Sequence, residues 1–495
     1  PVIDKDLPLV FPLSARSEEA IKAVAADMSR FLEDDLQCET AELADIANAA
    51  ALHKGQHHFR AAFVASTKSE LAGLLQAYAS AETKPDVIHG RILQKSPLQI
   101  AFIFSGMGQQ WQGMGRGLYQ REPVFRNIID RCSQLFQEHT QDWNLVEELF
   151  ADAQTSRIDE TQISQPCIFA IQAALSTLWQ TWGVKPAAIV GHSVGEVAGY
   201  FAAGVLSLED AVKVCFHRSR LQQTKAGSGG MLAAGLSEKD AARFLQQFAG
   251  KVSIAAVNAA EAITFSGEIE ALNEIAKLCE NENIFHRFLK VEVPYHSAGM
   301  DSICGELRES LGDTRPGEGN IQVISTVTGA GIDGTCINGD YWAENIRKPV
   351  LFKTALDELI KSDTDIFVEI SAHPVLSAYM LESLVTAEKK GAVVHSLKRG
   401  ENDERAILRE VAKIYAAGGP VAWQSLYPSS ARRVKLPAYP WQNKPCWMES
   451  EESRKYRLGI RDGHPLLGGM THAGRRVWNS TIDLSLFQYF KDHVV

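Results

Sequence analysis

Gly191-His192-Ser193-Val194-Gly195-Glu196 is the stretch on which the reading of this chain turns. A short apolar run, Ala187-Ala188-Ile189-Val190, precedes it, and Val197 to Gly204 follows with helical character. The order is strand, sharp turn, helix, with the serine at the turn and a glycine two residues away on each side. This is the G-x-S-x-G nucleophile elbow. The glycines are required because the turn brings backbone segments together and leaves no room for a side chain. The hydroxyl then sits at a helix N-terminus, where backbone N–H groups and the helix dipole favour developing negative charge.

The rest of the chain limits what such a serine can serve. At 495 residues it is too long for one ordinary domain; length alone suggests about three. Hydrophobic residues make up 45% of it, enough for a substantial core. The net charge is −10 with both signs spread along the chain, which argues against nucleic acid or an anionic membrane as a partner. No apolar run is long enough to span a bilayer and no signal-peptide pattern opens the sequence, so a cytoplasmic protein is expected. Pro1-Val2-Ile3-Asp4 reads as a cut out of a longer protein. Cys38, Cys132, Cys167, Cys215, Cys279, Cys304, Cys336 and Cys446 form no C-x-x-C pair, which fits reduced thiols better than disulfides or zinc. His53, His57 and His58 lack an accompanying carboxylate or cysteine cluster and read as a solvated helix face, so no metal is expected.

Working outward from the elbow, Gln99 to Phe104 is a buried-strand run that enters Ser105-Gly106-Met107-Gly108-Gln109-Gln110-Trp111-Gln112-Gly113-Met114-Gly115. Four glycines mark a tight loop, but no Gly-Lys-Ser/Thr follows and the dinucleotide spacing is absent. Residues 1–95 read as a small α+β unit. It has strands at Pro8–Ala15 and Phe59–Ala65 and helices at Ser17–Leu32, Leu43–Leu52 and Ser69–Ala79. Helices are expected at Pro123–Gln137, Pro166–Gly183 and Leu208–Thr224, the last carrying Arg218 and Arg220. Residues 231 to about 292 read β-α-β-β-α-β, the ferredoxin-like order, inserted into the larger α/β domain at about 228–292. Ile321–Val327, Ile366–Ile370 and Val393–Leu397 continue the main sheet. Asp403–Ala417 reads as a helix. Residues 418–447 then hold five prolines and three tryptophans, a linker that packs on a surface because its aromatics need cover.

A serine nucleophile needs a base and an oxyanion stabiliser. The elbow helix supplies one donor, the N–H of Val194, and the Gly-rich loop can supply a second, the N–H of Met107. The base is a histidine brought in by the fold. His192 is too close in sequence to face the hydroxyl and reads as packing or orienting.

Phe104-Ser105-Gly106-Met107-Gly108-Gln109-Gln110-Trp111, the elbow, Arg218 and Val293-Pro294-Tyr295-His296-Ser297 occur in that order. Together they resemble the acyltransferase domain of fatty acid synthases and of modular or iterative polyketide synthases, over residues 96–395. The resemblance implies an α/β-hydrolase-like acyltransferase core with the ferredoxin-like insert, behind a ketosynthase-to-acyltransferase linker at 1–95. Residues 396–447, ending in Leu436-Pro437-Ala438-Tyr439-Pro440-Trp441, resemble the post-acyltransferase linker. Residues 448–495 resemble a truncated dehydratase start, from His464-Pro465-Leu466-Leu467-Gly468 and Asp492-His493, with no dehydratase activity expected of it.

The resemblance also implies roles. Ser193 is the acylated nucleophile and His296 the general base, its imidazole oriented by a backbone carbonyl at the position of Leu351. Met107 and Val194 form the oxyanion hole; many family members have Gln where this chain has Met107. Arg218 grips the free carboxylate of a malonyl-type substrate, with Tyr295, His192, Gln109 and Leu351 around it. Arg220 is a surface charge. Tyr295 leaves little room for an α-methyl group, so malonyl-CoA is favoured over methylmalonyl-CoA. No bound cofactor is implied. The partners are an acyl carrier protein, whose phosphopantetheine thiol is the acceptor, and neighbouring ketosynthase and dehydratase domains; the fragment itself is expected to be a monomer. The alternative is a serine hydrolase of the α/β-hydrolase type, with His373 or His395 as its base.

Overall fold

The computed structural model describes residues 7–34, 40–92, 97–427, 432–443, 447–457, 467, 469–472, 475–480, 484 and 488–492. The chain divides into two compact units, Pro1–Pro440 and Trp441–Val495. Within the first, an antiparallel sheet opens the chain in the order β1 (Leu9–Ala15), β2 (Phe59–Ala65), β3 (Val87–Arg91). β1 is an edge strand, which is why Pro12 is tolerated inside it. Helices Glu18–Asp34 and Lys68–Ala79 bury their apolar stripes against this sheet, capped by the hydroxyls of Ser17 and Thr67. β3 escapes the sequence reading because Val87-Ile88-His89-Gly90-Arg91 carries no alternation and is nowhere fully buried.

The main sheet holds β4 (Ile100–Phe104), β5 (Ala188–Gly191), β10 (Gln322–Ser325), β11 (Ala330–Ile332), β12 (Ile366–Ile370) and β13 (Ala392–His395). Their order is β11-β10-β5-β4-β12-β13. Only the β10–β11 pair is antiparallel. β4, β5 and β12 are buried along their whole lengths, as parallel strands covered on both faces must be. Phe102, Phe104 and Ile189 join the same core as helix Thr161–Thr181. Ala101, Ile103 and Val190 pack on the other face against helices Phe352–Lys361 and Ser377–Thr386. Loops from the carboxyl ends of β4, β5 and β12 converge, the position where α/β sheets bind ligands.

Helix Thr161–Thr181 begins five residues before the expected start at Pro166, which lies inside it. A proline is favoured at the first helical position, but here near-continuous burial of the helix outweighs the one hydrogen bond the ring removes.

Between β5 and β10 lies the insert, with β6 (Gly230–Ala234), β7 (Val252–Ala259), β8 (Ala262–Gly267) and β9 (His286–Phe288). Its antiparallel order β7-β8-β6-β9, with helices Glu238–Leu245 and Ile269–Asn281, is the ferredoxin-like arrangement with its own small core. Helix Asp403–Ala417 packs on β2, β3 and β13, so the segment after the main sheet ties it back to the N-terminal sheet. In the second unit, β14 (Gly469–His472) pairs antiparallel with β15 (Arg475–Asn479). Of the dehydratase-like motifs, His464, Pro465, Leu466, Gly468 and His493 lie outside the described residues. Among the described residues no helix is long and apolar enough to cross a membrane.

Candidate active site

The elbow explains its own glycines. A Cβ on Gly191 would lie 2.4 Å from the backbone of Glu196, and one on Gly195 would lie 2.3 Å from the Phe104 carbonyl oxygen. Ser193 itself is held at φ 55°, a left-handed conformation that a serine keeps only when its surroundings impose it. Helix Gly195–Ala202 follows directly.

His296 comes from the loop that leaves the ferredoxin-like insert, also in the left-handed region at φ 56°. Its Nε2 lies 2.8 Å from Ser193 Oγ. Its Nδ1 faces the backbone oxygen of Lys348 at 2.9 Å. A carbonyl only accepts, so Nδ1 carries the proton and Nε2 presents a lone pair to the serine. The orienting carbonyl is therefore that of Lys348, not of Leu351. The Leu351 N–H instead donates to the Thr326 carbonyl, and its side chain packs against the core of the insert. After Lys348 the chain runs on extended, with Val350 bridging in parallel to Ala256 of β7, before Leu351 is reached. Burial, then the positive charge of Arg218, then His192 push the His296 imidazole down to about 3. It is a neutral base throughout the physiological range.

Arg218 projects from helix Leu208–Gln223, capped by the Ser207 hydroxyl. It is 1% exposed, yet every side chain it bonds is neutral. Nη2 donates to Ser193 Oγ at 2.9 Å. Nη1 donates to Gln165 Oε1 at 2.6 Å and Gln222 Oε1 at 3.0 Å, and Nε to Asn345 Oδ1 at 3.2 Å. Burial drags the guanidinium down to about 10, the raising influences of Cys215, Tyr295 and Glu196 notwithstanding. Arg220, two residues on, pairs with Glu306 at the surface.

Beneath the serine lies a buried carboxylate. Glu196 accepts from the Thr326 N–H and hydroxyl, the Tyr341 hydroxyl and Asn345 Nδ2, at 2.6–2.9 Å. Burial raises its pKa, and these donors oppose the rise. Asn345 thus stands between a buried anion and a buried cation without letting them touch.

The Gly-rich loop is braced from below. Ser105 Oγ donates to Glu369 at 2.6 Å, and Gln172 Nε2 donates to the carbonyls of Ser105 and Ile370. Gln109, expected beside substrate, is buried and bonds backbone at both ends of its amide. It donates to Ser105 and Gly106 and accepts from Ala372. It shapes the loop. His192 likewise turns from the serine: its Nε2 meets Asn258 Oδ1 on β7 at 2.9 Å, and its ring packs on Phe352. The backbone N–H groups of Met107 and Val194 find no acceptor among the described residues, which leaves both free for an oxyanion. Tyr295 is buried, its hydroxyl 2.6 Å from Thr161 Oγ1.

Sequence reasoning singled out Ser193, His296 and Arg218, and the structure brings them together. It missed Gln165, Gln222, Asn345, Glu196 and Glu369. Glu196 carried a signal, a lone charge in an otherwise apolar elbow helix; Gln222 sits one turn after Arg218 on the same helix. No group of three or more His, Cys, Asp or Glu suited to a metal occurs among the described residues.

The fold and this constellation define a class, the α/β acyl-transfer enzymes. The acyl transferase domain model matches residues 101–420, and a second model, of a polyketide synthase C-terminal segment like that of CurL, matches residues 9–75. The chain belongs to the acyltransferase domains of type I polyketide synthases and is an acyltransferase. It is 36% identical to the erythronolide synthase EryA2 of Saccharopolyspora erythraea, over 90% of this chain and 12% of that protein. It is 34% identical to the polyketide synthase GfsB of Streptomyces halstedii, over 94% of this chain and 8% of that protein. The chain thus spans a small part of these relatives. The crystal structure of the acyltransferase domain from module 8 of the salinomycin polyketide synthase superposes with a TM-score of 0.80 at 29% identity, covering 85% of this chain and 98% of that one.

Proposed function

We propose that this domain moves a malonyl unit from CoA to the phosphopantetheine thiol of an acyl carrier protein, in two steps through an ester on Ser193. The observation that carries the reading is Arg218: a buried guanidinium 2.9 Å from the serine hydroxyl, bonded to neutral amides and to no carboxylate among the described residues. A desolvated cation held without an anion suits a substrate that brings its own carboxylate. A monocarboxylic acyl group would leave that cation unpaired, which is the basis for discrimination.

In the first step Ser193 Oγ attacks the thioester carbonyl and His296 Nε2 takes its proton. The N–H groups of Met107 and Val194 hold the negative oxygen of the tetrahedral intermediate. The C–S bond then breaks and the CoA sulfur leaves with the proton from His296. In the second step His296 takes the proton of the carrier thiol, whose sulfur attacks the ester, and returns it to Ser193 Oγ. Tyr295, pinned through Thr161, narrows the space beside the α-carbon, which favours malonyl over methylmalonyl. Ketosynthase and dehydratase neighbours belong to the same reading, as parts of a longer synthase. Intact-mass measurement after mixing with malonyl-CoA tests it. The wild type gains one malonyl group and Ser193→Ala gains none; a wild type that stays unmodified, or a gain that persists in Ser193→Ala, overturns the assignment.

A further inference from the structure

Counting donors at Arg218 exposes a shortfall. A guanidinium has five N–H donors. Nε gives its one to Asn345, Nη1 gives both to Gln165 and Gln222, and Nη2 gives one to Ser193 Oγ. Either side-by-side grip on a carboxylate, through Nη1 and Nη2 or through Nε and Nη2, needs a nitrogen that is already saturated. Only Nη2 is left for a ligand. A carboxylate carries two oxygens, and in a dry site each needs a donor.

Gln222 holds the missing one. Its side chain is 0% exposed, and its Nε2 has no hydrogen-bond partner among the described residues. The orientation of the amide is fixed by its other end. Oε1 accepts from Arg218 Nη1 at 3.0 Å and from Gln165 Nε2 at 2.8 Å; turned round, an NH2 would face two donors. The unpaired Nε2 is therefore the other end of the same amide that meets Arg218 Nη1. A buried donor left without an acceptor is costly, and such a group in a native site calls for a ligand.

We propose that Gln222 is the second donor of the acyl-carboxylate subsite, its Nε2 taking one carboxylate oxygen while Arg218 Nη2 takes the other. The proposal rests on the malonyl reading above. It makes the ligand a short dicarboxylic acid joined as a monothioester, recognised by one charged and one neutral donor. Gln165 and Asn345 then hold the guanidinium in place and stay off the substrate.

The test compares wild type, Gln222→Met and Arg218→Ala by acyl-enzyme formation from malonyl-CoA and from acetyl-CoA, together with a crystal structure of the malonylated wild type. Gln222→Met is expected to lower the malonyl-to-acetyl ratio of kcat/KM at least tenfold, mainly through the KM for malonyl-CoA. The malonyl-enzyme is expected to show a carboxylate oxygen within hydrogen-bond distance of Gln222 Nε2. A ratio unchanged within twofold, or both oxygens on Arg218 alone, overturns the role of Gln222 and leaves the malonyl reading standing. A wild type without malonyl preference, with Arg218→Ala of the same selectivity, overturns both. The crystal structure uses wild-type protein, so the outcome does not depend on how the variants fold.

Discussion

Two arginine clusters in this chain are built on opposite principles. Arg405 and Arg409, on helix Asp403–Ala417, are surrounded by carboxylates. Asp86 accepts from both, Glu70 from Arg405 and Glu401 from Arg409. Their charges are met within the chain, and they clamp the N-terminal sheet to the helix that returns from the main sheet. Arg218 is more deeply buried and has only amides and a hydroxyl around it. The nearest anion, Glu196, is kept one asparagine away. An arginine already paired is a fastening; one held in place by neutral groups keeps its charge unmet within the site, as the malonyl reading proposed above requires. The difference lies in the partners, since both are helical arginines with partly apolar neighbours in sequence.

The largest expected effect comes from removing that charge. Arg218→Ala should lower malonyl transfer about a thousandfold, a loss of about 4 kcal/mol for truncating one partner of a desolvated charge pair. Acetyl transfer should be kept or gained, both read as acyl-enzyme by mass. The second effect is in pH. An unfolded histidine titrates near 6.5 whereas His296 is pushed down to about 3. Between those values the unfolded chain binds a proton that the native one does not, so stability falls as the pH falls through this window. At pH 4 the loss is on the order of 3 kcal/mol. His296→Gln should flatten the Tm profile there.

The clamp behaves otherwise. Burial pushes the Asp86 carboxyl up, but hydrogen bonds and charge from Arg409 and Arg405 outweigh it and leave it lowered. Its contribution is therefore present above the ordinary aspartate range and is lost only in stronger acid. Asp86→Asn should cost about 1–2 kcal/mol by thermal melting at neutral pH while leaving acyl-enzyme formation intact. Loss of acylation there would show the two clusters to be coupled. The smallest effect is at the pocket wall. Thr161→Val removes one of two side-chain partners of the Tyr295 hydroxyl, Gln165 being the other, and should narrow the malonyl-over-methylmalonyl preference by about 1 kcal/mol, since a methyl group is worth little more. Competition between the two CoA esters reads it.

Local features of the sequence revealed much of this. The elbow, the apolar strands β4 and β12, and the β-α-β-β-α-β order of the insert are each written in short stretches. The pairing of Ser193 with His296 and Arg218 comes instead from the family resemblance that four motifs in order carry, since the residues alone leave the choice of histidine open. Four strands stayed hidden, β3, β11, β14 and β15; of these β3 and β11 are edge strands of three to five residues with exposed positions. The Leu351 expectation missed by three residues: a carbonyl has no side-chain signature, and only the folded path of the backbone determines that Lys348 faces the imidazole. The backbone partners of Gln109 were equally hidden, because an amide reads the same whether it meets substrate or backbone.

The sequence by itself determined the local pieces: a serine on a turn that only glycine-flanked backbone can make and, through the resemblance its motifs carry, a histidine and an arginine as candidate partners for it. Those identities are local, and local sterics and charge fix them. The tertiary structure decided what each group faces. It surrounded Arg218 with Gln165, Gln222 and Asn345 from three separate helices, held Glu196 at one remove, and left Gln222 Nε2 unpaired in the dry interior. Whether a buried charge or donor is satisfied depends on groups far apart in the chain, and only the folded packing brings them within hydrogen-bond reach.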